Sequence, residues 1–251
     1  MERFYWRNKV AVITGASVGI GASTALTLAN AGMVVVGLAR RVELIELTLQ
    51  ALNAQVTGEG KIFARQCDLS DDEQLISTFN WIRERFYCIH VLVCNAGILK
   101  ANFLSESATK DIKELFDLNV VATASCLRET LKHMAATKVR CHIIVINSVL
   151  GHRIPEVPVP LFSVYPATKH AITALCQTVR QEIHFLKLNI KLTSICPGMV
   201  DTDFLNVYSQ AVDELPKLQA VDVAKAILYA LDTPDGVQVE DIIMQKMRKV
   251  E

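Results

Sequence analysis

The chain has 251 residues, 51% of them apolar, with 26 Lys plus Arg against 26 Asp plus Glu. That length suits one large α/β sheet domain with a sizeable core, and a net charge of zero gives no field favouring nucleic acid or an anionic membrane. No signal-peptide core and no apolar stretch near about 18 residues occurs, so no membrane span is expected.

From the N-terminus, short β-branched runs alternate with longer helical patterns. Strands are expected at 9–15 (KVAVITG), 33–39 (MVVVGLA), 61–67 (KIFARQC), 90–95 (HVLVCN), 142–148 (HIIVINS), 190–196 (IKLTSIC) and 237–244 (VQVEDIIM). Nearly continuous apolar runs are what strands show when helices cover both faces of a parallel sheet. Right-handed crossovers then give an α/β fold, a doubly wound, seven-stranded parallel sheet of the Rossmann type, with 1–251 as a single domain. Long helices are expected at about 108–137 and 163–187. The second carries Ala171, Ile172, Ala174, Leu175, Val179, Ile183, Phe185 and Leu186, more apolar positions than one stripe against a sheet uses. A second copy of the chain is the expected partner.

After the first strand, TGASVGIGAS sets Gly15, Gly19 and Gly21 in a GxxxGxG pattern. A strand turning tightly into a helix lets the backbone approach a pyrophosphate and aims helix N–H groups at it. The second strand ends GLARR, with Ala39 where a carboxylate would bind the ribose hydroxyls of NAD, then Arg40 and Arg41. Two guanidiniums suit the 2′-phosphate of NADP, and Glu46 stands where it can orient one of them. Seven cysteines, Cys67, Cys88, Cys94, Cys126, Cys141, Cys176 and Cys196, are scattered without CxxC spacing. Neither a zinc framework nor a disulfide framework is expected. Buried free thiols in a reducing compartment are, and with them a cytoplasmic location.

Further along, SVYPATKHA places Tyr165 four residues before Lys169, on one helix face, where an ammonium holds a phenol's pKa down. Pro166 fits only a first helical turn and so marks the start of that helix. Two irregular stretches, 151–162 and 199–216, follow strand ends on the edge where α/β sheets bind ligands. They carry Ile154, Val157, Val159, Leu161, Phe162, Met199, Phe204, Leu205, Val207 and Tyr208. Such a surface lines an apolar slot rather than binding a sugar or a phosphate ester.

Taken together, TGASVGIG, CDLSD, CNAG, LNV, INSV, YPATK and CPGMVDT resemble the short-chain dehydrogenases/reductases over essentially the full chain. VVGLARRVE, INSVLGHR, YPATKHAITAL and RQEI look closer still to the insect NADP-dependent farnesol dehydrogenases and to their vertebrate relatives, cytosolic keto-reductases called dehydrogenase/reductase member 11. The resemblance implies Tyr165 as catalytic acid/base and Lys169 as its partner and a ligand of the nicotinamide ribose. It implies Ser148 as the hydroxyl that holds the substrate oxygen, and Asn119 as the residue positioning a relay water. For NADP it implies contacts from Gly15, Ser17, Val18, Gly19, Ile20 and Gly21, an adenine pocket with Asp68 and Leu69, and a ribose wall of Asn95, Ala96 and Gly97. Pro197, Gly198, Val200 and Thr202 correspond to the segment holding the carboxamide. No metal is called for.

The implied substrate is an apolar alcohol or carbonyl, with an isoprenoid alcohol such as farnesol first and a ketosteroid or small carbonyl second. The implied assembly is a homodimer or homotetramer. A reading from another class, an NADP-binding sensor without activity, does not need the hydroxyl pair Ser148 and Tyr165 that this chain retains. One departure is Cys94, where the family usually carries the first Asn of Asn-Asn-Ala-Gly. A small stability cost with intact cofactor binding is expected there.

Overall fold

Apolar β-branched runs too short for helices become strands covered on both faces. The computed structural model describes residues 4–156, 162–212 and 215–247. Its strands are β1 (Val10–Thr14), β2 (Val34–Ala39), β3 (Lys61–Gln66), β4 (Val91–Cys94), β5 (Cys141–Ile146), β6 (Ile190–Pro197), β7 (Val200–Asp201), β8 (Leu218–Gln219) and β9 (Asp241–Met244). Seven of these make one parallel sheet in the order β3-β2-β1-β4-β5-β6-β9, and β7 pairs with β8 apart from it. The helices are α1 (Gly19–Asn30), α2 (Val42–Asn53), α3 (Asp72–Phe86), α4 (Thr109–Phe116), α5 (Ala122–Thr137), α6 (Tyr165–Phe185) and α7 (Ala220–Leu231). The expected doubly wound sheet is present.

Alternate residues of each strand enter different layers. Val10 and Val12 of β1 pack with Leu75, Phe79, Cys126, Ile172 and Ile183 from α3, α5 and α6. Ala11 and Ile13 pack with Leu28, Ile45, Leu49, Val223 and Ile227 from α1, α2 and α7. Cys94 lies in the first of these layers, 4% exposed. Strand order reverses between β1 and β4, so the loops leaving their C-terminal ends part and open a crevice there.

Two expected elements differ. The strand expected over 237–244 begins only at Asp241, because the amide of Gln238 takes the place of ladder bonds. Its Nε2 donates to the Leu192 carbonyl at 2.8 Å, and its Oε1 accepts from the Leu192 N–H at 3.3 Å. The helix expected over 108–137 is interrupted by a wide π turn at Asp117–Val121, where the Ala122 N–H reaches back five residues to the Asp117 carbonyl. Such turns mark functional positions more often than ordinary helix does. Here the turn carries Asn119, whose Oδ1 accepts from the Ile98 N–H at 2.8 Å and whose Nδ2 donates to the Ile98 carbonyl at 3.0 Å. The helix widens so that one side chain can grip the chain leaving β4.

On α6, Ile172, Val179 and Ile183 enter the core, while Phe185 is 83% and Leu186 50% exposed. Of the other apolar positions, Ala171 and Leu175 are half-buried and Ala174 is exposed. No helix among the described residues is long and apolar enough to cross a membrane. Val157, Val159 and Leu161 lie outside the described residues.

Asn119→Ala leaves both backbone groups of Ile98 without this partner. We expect a loss of about 2–4 kcal/mol in denaturant unfolding. A loss below about 0.5 kcal/mol, the usual scale of inert surface changes, would show that the turn does not depend on this grip.

Candidate active site

The crevice begins at the glycine loop. Gly15 and Gly19 have φ of +66° and +57°, a region that side-chain-bearing residues seldom adopt. A Cβ on Gly21 would sit 2.2 Å from the Gly15 carbonyl oxygen, so the first turn of α1 presses on the strand end and leaves no room for a side chain. Val18 precedes α1 in extended conformation, no side chain caps that helix, and its first turn carries no acidic residue. Its N–H groups and positive dipole end are thus left to a ligand. Asn95, just past β4, ties the two sides of the crevice together. Its Nδ2 donates to the carbonyls of Thr14 at 3.0 Å and Gly15 at 3.1 Å. Thr14 Oγ1 in turn accepts from the N–H groups of Asn95 at 2.9 Å and Ala96 at 3.1 Å.

Opposite the loop stands the segment after β6. A Cβ on Gly19 would lie 3.1 Å from Thr202 Cγ2, so Thr202 faces the start of α1. Pro197 ends β6, the Gly198 N–H bonds to the Met244 carbonyl of β9 at 2.8 Å, and Val200 is buried. Past β2, Arg40 and Arg41 are exposed, and among the described residues no carboxylate forms an ion pair with either. Glu46 is exposed and does not orient them. Leu69 is buried, whereas the Asp68 carboxylate accepts from the Ser70 N–H at 3.0 Å and Ser70 Oγ at 2.6 Å, closing its own turn. Gly97 abuts the π turn, since a Cβ there would lie 3.2 Å from Asn119 Oδ1. A glycine cradle, an uncapped helix and two unpaired guanidiniums fit a phosphorylated dinucleotide.

The candidate catalytic groups gather where β5, α6 and the π turn meet. Asn119, Ser148, Tyr165 and Lys169 are all buried, at 2%, 8%, 7% and 7% exposure. Tyr165 opens α6 with Pro166 beside it in the first turn, as the sequence implies. Its hydroxyl faces Ser148, close enough for the serine to favour its ionised form, and Ser148 Oγ accepts from the Leu150 N–H at 3.1 Å. Lys169 Nζ donates to the Ile146 carbonyl at 3.0 Å and lies 5.6 Å from the Tyr165 ring centre. Asn119 does not project its amide at these groups. It spends that amide on Ile98 and, through Nδ2, on Thr168 Oγ1 at 3.3 Å, which itself donates to the Tyr165 carbonyl at 2.7 Å. Its part is positional.

Burial decides the charge states. It raises the Tyr165 phenol above its ordinary value, the neighbouring Tyr208 phenol adds to the rise, and Ser148 offsets part of it. Burial also lowers the Lys169 ammonium, to about 8, with the thiols of Cys196 and Cys176 acting weakly in the opposite direction. Without the positive charge of an oxidised cofactor, the nearby ammonium does not bring the phenol below its ordinary value. The Lys169 ammonium points at the Ile146 carbonyl, and burial is the largest influence on the phenol.

Over Tyr165 lies an aromatic cover. The Phe204 ring stands 6.0 Å from the Tyr165 ring, and Phe162 meets Tyr208 edge-on at 6.4 Å. Leu99, Leu115, Ile98, Leu150 and Val164 complete the apolar surround. A cleft of about 400 Å³ lined by Ile154, Phe162, Ser163, Pro166, Ala167 and His170 flanks the start of α6. Its lining includes neither Ser148 nor Tyr165. Ser163 belongs to this flank, hydrogen-bonded to Ser107 at 2.8 Å, and takes no part with Tyr165.

Three contributors escaped the sequence reading. Thr14 opens the quoted glycine stretch and clamps β4. Asn147 precedes Ser148 and fastens its turn to α6 by donating to Thr173 Oγ1 at 2.9 Å. Tyr208 was read only as apolar lining, yet its phenol bears on that of Tyr165. Position next to a motif residue was the available signal for the first two. Nothing local marked the third.

Comparison with known proteins agrees with this geometry. Residues 9–213 match the family described as short chain dehydrogenase. The chain is 40% identical to the farnesol dehydrogenase of Aedes aegypti over 96% of each chain. It is 38% identical to dehydrogenase/reductase SDR family member 11 of Bos taurus over 100% of each. Among solved structures, an alcohol dehydrogenase from the archaeon Thermococcus sibiricus, complexed with 5-hydroxy-NADP, is 28% identical. It superposes with a TM-score of 0.84 over 97% of this chain and 99% of that one. Motif, sheet order and the buried Ser148–Tyr165–Lys169 group concur, and the chain belongs to the short-chain dehydrogenase/reductase family of oxidoreductases.

Proposed function

We propose that this oxidoreductase interconverts an apolar alcohol and its aldehyde or ketone with NADP(H), and that an isoprenoid alcohol of the farnesol kind is its substrate. The observation that carries the cofactor choice is the pair of unpaired, exposed guanidiniums, Arg40 and Arg41, past a β2 that ends in Ala39 rather than a carboxylate. A 2′-phosphate dianion gains charge-assisted bonds there, and no side chain repels it. The archaeal relative's complex with an NADP derivative supports the same reading. For the substrate, support comes from the rings of Phe204, Phe162 and Tyr208 over the catalytic phenol and from the named activity of the mosquito relative.

The cofactor, when bound, supplies the hydride acceptor or donor. Ser148 Oγ holds the substrate oxygen by hydrogen bonding. In oxidation Tyr165 takes the hydroxyl proton as the carbinol hydrogen leaves as hydride, and in reduction the phenol returns a proton to the developing alkoxide. Lys169 would donate to the ribose of a bound nicotinamide cofactor, its charge adding to that of the oxidised ring in favouring phenolate. Asn119 and Thr168 hold the start of α6 against the loop after β4. Seven free thiols suit a reducing compartment, and we place the protein in the cytosol on that ground.

The test is nicotinamide absorbance with a panel of prenyl alcohols of increasing length, steroids and dicarbonyls. Turnover is expected to be highest with a prenyl alcohol and NADP, and Tyr165→Phe should abolish it while cofactor still binds. Replacing Arg40 and Arg41 by alanine should raise KM for NADP at least about tenfold, or about 1.4 kcal/mol, and leave NAD nearly unchanged. Equal loss for both cofactors contradicts the phosphate reading. Turnover confined to steroids or dicarbonyls would move the substrate to the second class, and none on any substrate would favour a binding role.

We also infer a homodimer or homotetramer, supported by the exposed Phe185 and Leu186 at the end of α6 and Val121 at 56% exposure before α5. Light scattering should give about 56 or 111 kDa, two or four times the 27.8 kDa chain. A fully active species at the single-chain mass would refute this.

A further inference from the structure

Cys196, His152 and Asp241 are far apart in sequence, which is why cysteine spacing gave no sign of a metal site. The fold brings them together on the α6 side of β6. Cys196 is the last residue before Pro197, His152 follows the turn carrying Ser148, and Asp241 opens β9. One donor atom from each, a thiol sulfur, an imidazole nitrogen and a carboxylate oxygen, lies within 4.8 Å of the other two. His152 Nε2 and Cys196 Sγ are 3.1 Å apart, and Ser194 Oγ lies 3.1 Å from the same sulfur.

We propose that His152, Cys196 and Asp241 bind one borderline-soft divalent cation of the zinc(II) class. Tetrahedral zinc with bonds of about 2.3 Å to sulfur and about 2.0–2.1 Å to nitrogen and oxygen needs ligand separations of roughly 3.3–3.6 Å. His152 and Cys196 reach that with movements of a few tenths of an ångström, and the Asp241 carboxylate, within 4.8 Å of both, by a side-chain rotation of about an ångström. A sulfur, a nitrogen and an oxygen donor select zinc over magnesium or calcium, which take oxygen alone. The imidazole and carboxylate are the solvent-facing members, so the ion enters past them to a sulfur with no exposed surface. On binding, the Cys196 thiol loses its proton to solvent and its sulfur forms the bond to the metal. No oxidation occurs.

Two cations oppose the ion and bound its affinity. Arg180 Nη2 lies 3.6 Å from Asp241 Oδ2, and the Lys169 ammonium is close enough for Cys196 to act on its charge. Arg180 is held independently, its Nε donating to the Leu192 carbonyl at 3.0 Å, so Asp241 can turn to the metal without leaving a stray buried guanidinium. Because Cys196 adjoins Pro197, an ion here would also stiffen the segment that faces the glycine loop.

Cobalt(II) alone is the probe, added to the full chain after chelator treatment. The expected result is one equivalent bound, with a thiolate-to-cobalt charge-transfer band that zinc(II) abolishes by displacement. Cys196→Ser should remove the band. His152→Ala, at an exposed position that does not threaten folding, should weaken binding at least about tenfold. Cys88→Ser should change neither. Absence of the band with cobalt in large excess overturns the proposal. So does a band that survives Cys196→Ser, an affinity that His152→Ala leaves unchanged, or a band that vanishes with Cys88→Ser.

Discussion

The ammonium of Lys169 has to be buried against a carbonyl, and that requirement places helix α6. A charge this far from water and without a partner would cost several kcal/mol, enough to neutralise it or pull it outward. The Ile146 carbonyl at the end of β5, 3.0 Å from Nζ, is the partner. With Lys169 pinned to the strand end, Tyr165 one turn earlier falls against Ser148, which β5 itself delivers two residues later. Asn147 through Thr173, and Asn119 through Thr168, fix the same two turns from either side. Each link is a hydrogen bond between elements distant in sequence, so the site is a property of the whole sheet edge.

That arrangement has a cost for chemistry as well as for stability. Burial favours a neutral phenol and weakens the ammonium, so the protein by itself holds Tyr165 as an acid. An acid is what carbonyl reduction requires. Alcohol oxidation requires a base, hence further positive charge beside the phenol, and an oxidised nicotinamide carries it. The aromatic cover of Phe204, Phe162 and Tyr208 acts on both sides of this balance. It excludes water, which strengthens every charge interaction within the site, and it extends the apolar surface beside the phenol.

Much of this was legible in the sequence because it depends on local rules. Positive φ at Gly15 and Gly19 and the crowding at Gly21 are demands that only glycine meets, so the loop announced itself. Strand lengths and sheet type followed from apolar runs, and Pro166 marked the start of α6. The misses have non-local causes. The π turn at Asn119 keeps a helical pattern of side chains, and only the distant Ile98 backbone reveals why the helix widens. Gln238 imitates a ladder bond with its side chain, so the segment reads as strand without being one. The direction of the Tyr165 shift depends on how much water the finished fold removes, which Tyr-x-x-x-Lys spacing does not contain. His152, Cys196 and Asp241 meet through two parallel crossovers that no spacing rule covers.

Burial keeps the Tyr165 phenol neutral in the protein alone, so a positive charge arriving with the cofactor has to release it. Ultraviolet difference titration of tyrosinate, taking wild type minus Tyr165→Phe, measures this residue directly. In the protein alone Tyr165 should remain protonated beyond the free-phenol value of about 10, and with saturating NADP⁺ its pKa should fall by at least about two units, close to 3 kcal/mol. A phenol that already ionises near neutrality in the protein alone, or one that NADP⁺ does not move, would contradict the account.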